Sequence, residues 1–314
     1  MVDICLLGCG GGMPMPFRSL SSTILNFKGR KILIDCGEGT QVSMKIAGTG
    51  FKDIDLICIT HCHGDHIVGL PGLLATIGNS GRIQPLTIIG PSGITEVVNG
   101  LRVIAKYLPY EINIIENPKE VKFDINKEKL ELSKENCQLI LSCLEVEHSS
   151  SCLGYSFYFK RDRKFSLEKA EENNVPKVLW NKLQKGNNEI IIYDGKTYKK
   201  EMVLGEERRG IKLSLITDTR PLKDIITFIK DSDLFICEGT YGDDADIEKA
   251  IKNKHMTFRE AATLARKAKC RKMMLTHFSP ALQDPSLYIQ NAKEEFENVV
   301  LGYDRLIDSL SFIE

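Results

Sequence analysis

The chain alternates short apolar runs with polar, glycine-bearing turns, and most of the runs have strand length. In the first hundred residues Val2 to Leu7, Ser22 to Phe27, Lys31 to Ile34, Asp55 to Ile59 and Leu86 to Gly90 read as strands, the second and third pairing around Lys28-Gly29-Arg30. Helical stretches fall between them. One runs from Ile67 to Ile77 and is interrupted by Gly69-Leu70-Pro71-Gly72; another runs from Ser92 to Leu108 with Ser92 as its N-cap. Residues 111 to 147 return to strand alternation around a charged stretch, Lys119 to Lys134. Later come the buried strands Ile211 to Thr217, Leu234 to Cys237 and Met273 to Thr276, and the helix Thr257 to Lys269. Pro285 to Glu314 reads as a helix and a closing strand. Residues 160 to about 210 break the pattern. They are rich in Lys, Glu and Asn, with little strand periodicity before Glu189 to Tyr193, as in an insertion or functional arm.

The strand ending at Ile59 runs into Thr60-His61-Cys62-His63-Gly64-Asp65-His66. Three imidazoles and a carboxylate within six residues converge only on a loop at a strand's end. That donor set suits zinc and related divalent ions. Four such ligands can serve two adjacent ions, His61 and His63 one, Asp65 and His66 the other. Cys62, on an extended loop, points away from its neighbours and stays outside the set. The first strand ends in Gly8-Cys9-Gly10-Gly11-Gly12-Met13-Pro14. This is either a loop that lets backbone approach a ligand or a plain turn. A nucleotide-binding reading fails, because a glycine is missing from the required spacing and Pro14 and Pro16 discourage a helix. Asp35, in Asp35-Cys36-Gly37-Glu38-Gly39-Thr40-Gln41, either supports the metal loop from behind or caps a turn.

A length of 314 residues allows one elaborated domain or two small ones. Lys plus Arg and Asp plus Glu both number 42, so no global field favours nucleic acid or an anionic membrane, and any RNA contact must be a local basic patch. No apolar run reaches membrane-spanning length, and the N-terminus lacks the basic start of a signal peptide. The ten cysteines sit mostly in apolar runs without a Cys-x-x-Cys pair, the usage of reduced, buried thiols in the cytoplasm.

The His-x-His-x-Asp-His run resembles the signature of the metallo-β-lactamase superfamily, which implies an α/β fold of the αββα sandwich type, two mixed sheets flanked by helices. Nearly the whole chain resembles the ribonuclease Z family within it. Asp35-Cys36-Gly37-Glu38-Gly39-Thr40-Gln41 matches its Asp-x-Gly-Glu-Gly-Thr-Gln segment. His148 followed by Gly154-Tyr155-Ser156-Phe157, Asp218-Thr219-Arg220 and His277-Phe278-Ser279 resemble the later superfamily motifs. Glu238-Gly239-Thr240-Tyr241 resembles His-Glu-Ala-Thr-Phe with Cys237 in place of the first His, and His255-Met256-Thr257 resembles His-Ser-Thr.

The resemblance implies two Zn2+ per chain, with Mn2+ or another divalent ion as the alternative. His61, His63, His148 and Asp218 would hold the first, and Asp65, His66, Asp218 and His277 the second, with Asp35 behind them. It implies hydrolysis of a phosphodiester by a metal-activated water, with Asp65 steering its proton and His255, paired with Glu238, protonating the leaving oxygen. The implied substrate is precursor tRNA, cut to release its 3′ trailer, by a cytoplasmic homodimer. The implied organisation is a single domain over 1–314 with an RNA-binding arm at about 163–207. Arg18 would touch substrate from the loop, and Lys177, Trp180 and Lys182 from the arm. Read without the resemblance, an aromatic flanked by lysines covers a local core. The departures are Pro16, Ser19, Lys177-Val178 and Ala281, all where RNA contacts are expected, whereas the metal set has none. Intact phosphodiesterase chemistry with altered RNA recognition follows. The alternatives are a related phosphodiesterase acting on another nucleic acid or a small diester, and a non-catalytic, metal-stabilised RNA-binding module.

Overall fold

The computed structural model describes residues 1–126, 129–133, 137–186 and 190–313. Lys134, Glu189 and Glu314, which bound three of the expected segments, lie outside the described residues. The chain forms two compact units.

The larger unit comprises Met1–Phe159 and Ile211–Ser311. Its first sheet places, in spatial order, Leu306–Leu310, Val2–Gly8, Ser22–Phe27, Arg30–Ile34, Ile54–Cys58, Leu86–Gly90 and Ile112–Glu116. Its second orders Val299–Leu301, Met273–Thr276, Leu234–Glu238, Arg208–Ile216, Cys152–Arg161, Leu139–Val146, Glu120–Ile125 and Leu130–Leu132. The parallel neighbours Ile54–Cys58 and Leu86–Gly90 are buried at every position, as expected of strands covered on both faces. On one face Met44, Leu70, Leu73 and Ile77 from two helices pack with Leu33, Ile57 and Ile88. The other face meets the second sheet. Phe27 and Phe159 pack as a tilted pair with ring centroids 4.9 Å apart, and the Tyr155 hydroxyl donates to the Ile59 carbonyl at 2.6 Å. Helices outside and two sheets inside give the αββα sandwich.

Three local expectations differ from the structure. The helical stretch after the metal loop is two helices, Gly64–Ile67 and Leu70–Asn79. Pro71 sits in the first turn of the second, where a missing N–H leaves no bond unmade. Ser92 is not a cap. The helix Ile94–Leu101 starts after Gly93 at φ 90°, with no side-chain cap. Glu116 does the work instead, accepting from the backbone N–H of Gly93 at 2.8 Å and of Thr95 at 3.2 Å. The C-terminal segment supplies two strands, Val299–Leu301 and Leu306–Leu310, one to each sheet. All ten cysteines are free. Among the described residues no helix is long and apolar enough to cross a membrane.

The smaller unit comprises Lys160–Gly210 with the tail from Phe312, a slightly wider span than the expected 163–207. It has its own core of Ala170, Val175, Leu179, Leu183, Tyr198 and Val203. Helices Leu167–Glu172 and Lys177–Lys185 supply three of these, Val175 lies between the two helices, and a hairpin of Ile190–Tyr193 with Lys196–Lys199 adds Tyr198. The hairpin turns at Asp194 (φ 49°) and Gly195 (φ 71°), the Asp-Gly pair that a two-residue turn with two positive φ angles demands. The Trp180 indole N–H donates to the Val175 carbonyl at 2.8 Å, and its ring lies 5.1 Å from Phe165.

Candidate metal centre

Every expected ligand lies just beyond the C-terminal end of a strand, on the loop that follows or, for Asp65 and His66, in the short helix Gly64–Ile67. Arg30–Ile34 delivers Asp35, Ile54–Cys58 leads to His61 through His66, Leu139–Val146 delivers His148, Arg208–Ile216 delivers Asp218, and Met273–Thr276 delivers His277. Asp35, Asp218 and His277 all have left-handed backbones, with φ of 59°, 51° and 58°. Such a conformation costs a non-glycine residue about 1–2 kcal/mol, and its clustering here marks the site. The glycine loop packs directly on it. A Cβ on Gly11 would stand 2.3 Å from the His277 ring, so only glycine fits there. The Gly12 N–H donates to Asp65 Oδ2 at 2.6 Å.

The ligand atoms form two adjacent sets, His61, His63, His148 and Asp218 in one and Asp65, His66 and His277 in the other, with the atoms of each set within 4.8 Å of one another. Asp218 divides between them. Its Oδ2 lies 3.5 Å from His61 Nε2 and 3.8 Å from His148 Nε2. Its Oδ1 lies 3.2 Å from His277 Nε2 and 3.7 Å from His66 Nε2.

Hydrogen bonds behind the ligands decide which ring nitrogens carry protons. Asp35 accepts from the Thr60 N–H at 2.7 Å and the Thr60 hydroxyl at 2.8 Å. The same carboxylate faces His66 Nδ1 at 2.8 Å, so that nitrogen is the donor. Thr60 Oγ1 has given its only proton to Asp35 and accepts from His61 Nδ1 at 3.1 Å. Thr240 repeats the device. Its hydroxyl donates to Glu238 Oε2 at 2.6 Å and accepts from His277 Nδ1 at 3.1 Å. His148 Nδ1 faces the Lys254 carbonyl at 3.4 Å. Four imidazoles therefore aim an Nε2 lone pair inward.

That arrangement fits divalent cations. His66 Nε2 and His277 Nε2 are 3.1 Å apart, and His63 Nδ1 lies 3.0 Å from His61 Nε2 and 3.2 Å from His148 Nε2. Lone pairs facing each other at such distances repel unless a positive charge lies between them. Nitrogens bound about 2.0–2.1 Å from one tetrahedral ion stand about 3.3–3.4 Å apart, close to the spacing seen. Burial, with the neighbouring imidazoles, pushes His61 down to about 2, so it presents a neutral ring. Burial opposes charge on His66, but Asp218 and Asp35 outweigh it and push this imidazole well above its ordinary value, so its Nε2 faces a negative field that calls for a proton or, in the proton's place, a cation. Burial likewise opposes charge on Asp65, yet the His277 and His66 rings hold its carboxyl well below the usual range.

The centre floors a cleft of about 350 Å³. His255 lines it, with Nδ1 3.1 Å from Glu238 Oε2. Glu238 is fully buried and also accepts from the N–H groups of Thr219 at 2.7 Å and Met256 at 3.1 Å. His255 also falls within ligand reach of Asp218 and His277, both of which already belong to the two sets. Four residues to which the sequence assigns no role belong here. Thr60 and Thr240 set ligand tautomers, Ser149 Oγ lies 3.5 Å from His63 Nε2, and Lys252 lines the cleft. Thr60 and Ser149 adjoin ligands in sequence, which is a usable signal; Lys252 carries none. Arg18, expected at substrate, is turned into the fold. It is only 7% exposed and its guanidinium donates to the carbonyls of Ser279, Leu282 and Gln283 at 3.3, 3.0 and 3.2 Å. Lys177 and Lys182 are exposed in the smaller unit, where Trp180 is held by its indole bond and its packing.

Comparison with known proteins places the family and the fold. Residues 2–204 match the family model described as Anti-Pycsar protein Apyc1, a match that stops short of Asp218, Glu238, His255 and His277. A ribonuclease Z of Clostridium beijerinckii is 63% identical over 316 aligned residues, covering 100% of both chains. Among solved structures, the short form of human tRNase Z has TM-score 0.66 at 24% identity, covering 98% of this chain and 99% of its own. The metallo-β-lactamase fold protein YhfI of Bacillus subtilis has TM-score 0.67 at 17% identity and 98% coverage of this chain. The chain belongs over its full length to the ribonuclease Z family, with residues 2–204 shared with the Anti-Pycsar protein Apyc1 family, on a metallo-β-lactamase fold.

Proposed function

We propose that this protein is a metal-dependent endoribonuclease that removes the 3′ trailer from precursor tRNA by hydrolysing one phosphodiester. The observation that carries the reading is Asp218, whose two oxygens serve two separate histidine sets, joined to full-length relatives named ribonuclease Z. His61, His63 and His148 with Asp218, and Asp65, His66 and His277 with Asp218, would hold two divalent ions, zinc by the chemistry of the donors. Bound there, such ions supply a water acidic enough to ionise near neutral pH and a positive clamp for the oxygens of a phosphodiester.

The chain's own residues do the rest. Asp35, Thr60 and Thr240 lock ligand tautomers, Asp65 steers the proton of the water while the Gly12 N–H steadies its carboxylate, and His255 gives a proton to the leaving oxygen. The fold forms one catalytic domain carrying residues 163–207 as an arm, and the protein works in the cytoplasm as a homodimer. Val42 and Ile46, one turn apart on the helix Thr40–Ala47 and 61% and 65% exposed, support self-association, which the mass in solution tests. The buried Arg18 favours a second reading, a phosphodiesterase for another nucleic acid or a small diester.

One experiment separates the readings. The metal-loaded protein is assayed on precursor tRNA and on a bis-aryl phosphodiester, beside a variant with residues 163–207 replaced by a Gly-Ser linker. We expect the parent to cut at the 3′ end of the tRNA body. The variant should show a KM for precursor tRNA about tenfold higher and a flatter salt dependence, because several lysine–phosphate contacts are gone. Its aryl diester rate should persist, since the proposed ligands and proton donor lie elsewhere. A parent active only on the aryl diester refutes the tRNA reading. A variant that handles precursor tRNA like the parent refutes the arm.

A further inference from the structure

The cleft has to receive a polyanion, yet beyond the metal centre its side chains offer little free positive charge. Arg18 is occupied by three carbonyls. Arg220 is occupied by Glu260 and the His255 carbonyl. Two lysines remain on the lining, Lys252 and Lys254, where the helix Ile247–Asn253 ends.

These two lysines differ. Lys254 occupies the left-handed cap position at φ 57° and donates from Nζ to the His148 carbonyl at 3.2 Å, while its own carbonyl faces His148 Nδ1. It clasps the ligand strand and shapes the turn that presents His255. Lys252 is exposed and has no hydrogen-bond or ion-pair partner among the described residues. Lys249, one turn earlier on the same helix, is paired with Asp246 at 2.6 Å and does not line the cleft. A lysine in the last turn of a helix also complements the helix dipole, but solvent-facing charge does that anywhere on the turn. It does not require an unpaired ammonium on the wall of the metal cleft.

We propose that Lys252 contacts the RNA backbone at a phosphate flanking the scissile one, and so supplies on the cleft rim the cation that Arg18 does not. This rests on the reading of the cleft as a site for RNA phosphodiesters. With the scissile phosphate on the cleft floor, the next phosphate along the strand comes to the rim. The contribution of Lys252 is to binding, and it does not change in the transition state.

The test compares Lys252→Ala, Lys252→Glu, Lys252→Arg and Lys249→Ala in the metal-loaded, full-length protein. Lys252→Ala should raise KM for precursor tRNA about three- to tenfold at nearly constant kcat. It should also flatten the slope of log(kcat/KM) against log salt by about 0.7–0.9, the loss of one phosphate contact. Lys252→Glu should do more, Lys252→Arg should restore both values, and Lys249→Ala should match the parent. In parallel, affinity for a fluorescein-labelled RNA strand is read by anisotropy. Should the parent fail to cut precursor tRNA, the cleavage reading falls, but the anisotropy series still decides this proposal. Parental affinity and salt slope in Lys252→Ala and Lys252→Glu, or an equal loss in Lys249→Ala, overturns it.

Discussion

Asp218→Asn is expected to leave the protein folded, to strip much of its metal, and to cut phosphodiester hydrolysis by about a thousandfold or more, the equivalent of several kcal/mol of transition-state stabilisation. Asparagine is the informative substitution. Asp218 has φ 51°, a conformation that Asn tolerates and Ala does not, so Asp218→Ala would mix backbone strain with lost ligation. Asp218 is 2% exposed, and burial works against its charge, but the His277, His66 and His61 rings around it hold the carboxyl well below the usual range. It is therefore ionised at any working pH. An amide in its place keeps one oxygen for one histidine set and turns an NH2 donor toward the other, where the inward lone pairs call for a cation. Elemental analysis should find close to two metal equivalents in the parent and about one or fewer in the variant. Two full equivalents and a parental rate in Asp218→Asn would falsify the shared-carboxylate assignment.

Much of this centre was legible because its parts are local in sequence. Four expected ligands fall within His61 to His66, and each remaining one follows a strand-like run. Strand ends are where an α/β sheet presents side chains, so the strands showed where such side chains emerge, and the resemblance singled out His148, Asp218 and His277 among them. What escaped depends on contacts between distant segments. Thr240 is a hub only because the strands Leu234–Glu238 and Met273–Thr276 are parallel neighbours, which brings its hydroxyl to His277. Arg18 looked like a substrate contact in a glycine-rich loop, but the turn after His277 offers it three carbonyls. Ser92 looked like a cap, but Glu116, from a neighbouring strand, holds the exposed N–H groups. For Trp180, the reading made without the resemblance, a local core, is where the side chain sits.

His255→Ala should keep its metal and lose rate selectively. The imidazole is anchored through Nδ1 to Glu238, which is itself held by two backbone N–H groups and the Thr240 hydroxyl, so Nε2 is the nitrogen left for the cleft. Burial opposes charge on His255, but Glu238 beside it outweighs that and raises the imidazole to about 9. At neutral pH it thus holds a proton to give. A ribose alkoxide is a poor leaving group and needs that proton, whereas an activated aryl oxide departs without it. His255→Ala should therefore lose about a hundred- to ten-thousand-fold in kcat on RNA and far less on a bis-aryl phosphodiester. The sign of the pH dependence follows. A raised imidazole is protonated below its pKa, so kcat on RNA should be level through neutrality and fall as pH rises through about 9. Glu238→Gln removes the charge that raises it, so the falling limb should move toward the ordinary histidine value near 6.5. The aryl diester should show neither limb. The measurements are kcat against pH on both substrates, with metal content determined on each variant. An equal loss on both substrates would make His255 part of the general architecture of the site, and loss of a metal equivalent would make it a ligand. Either result ends its assignment as the proton donor.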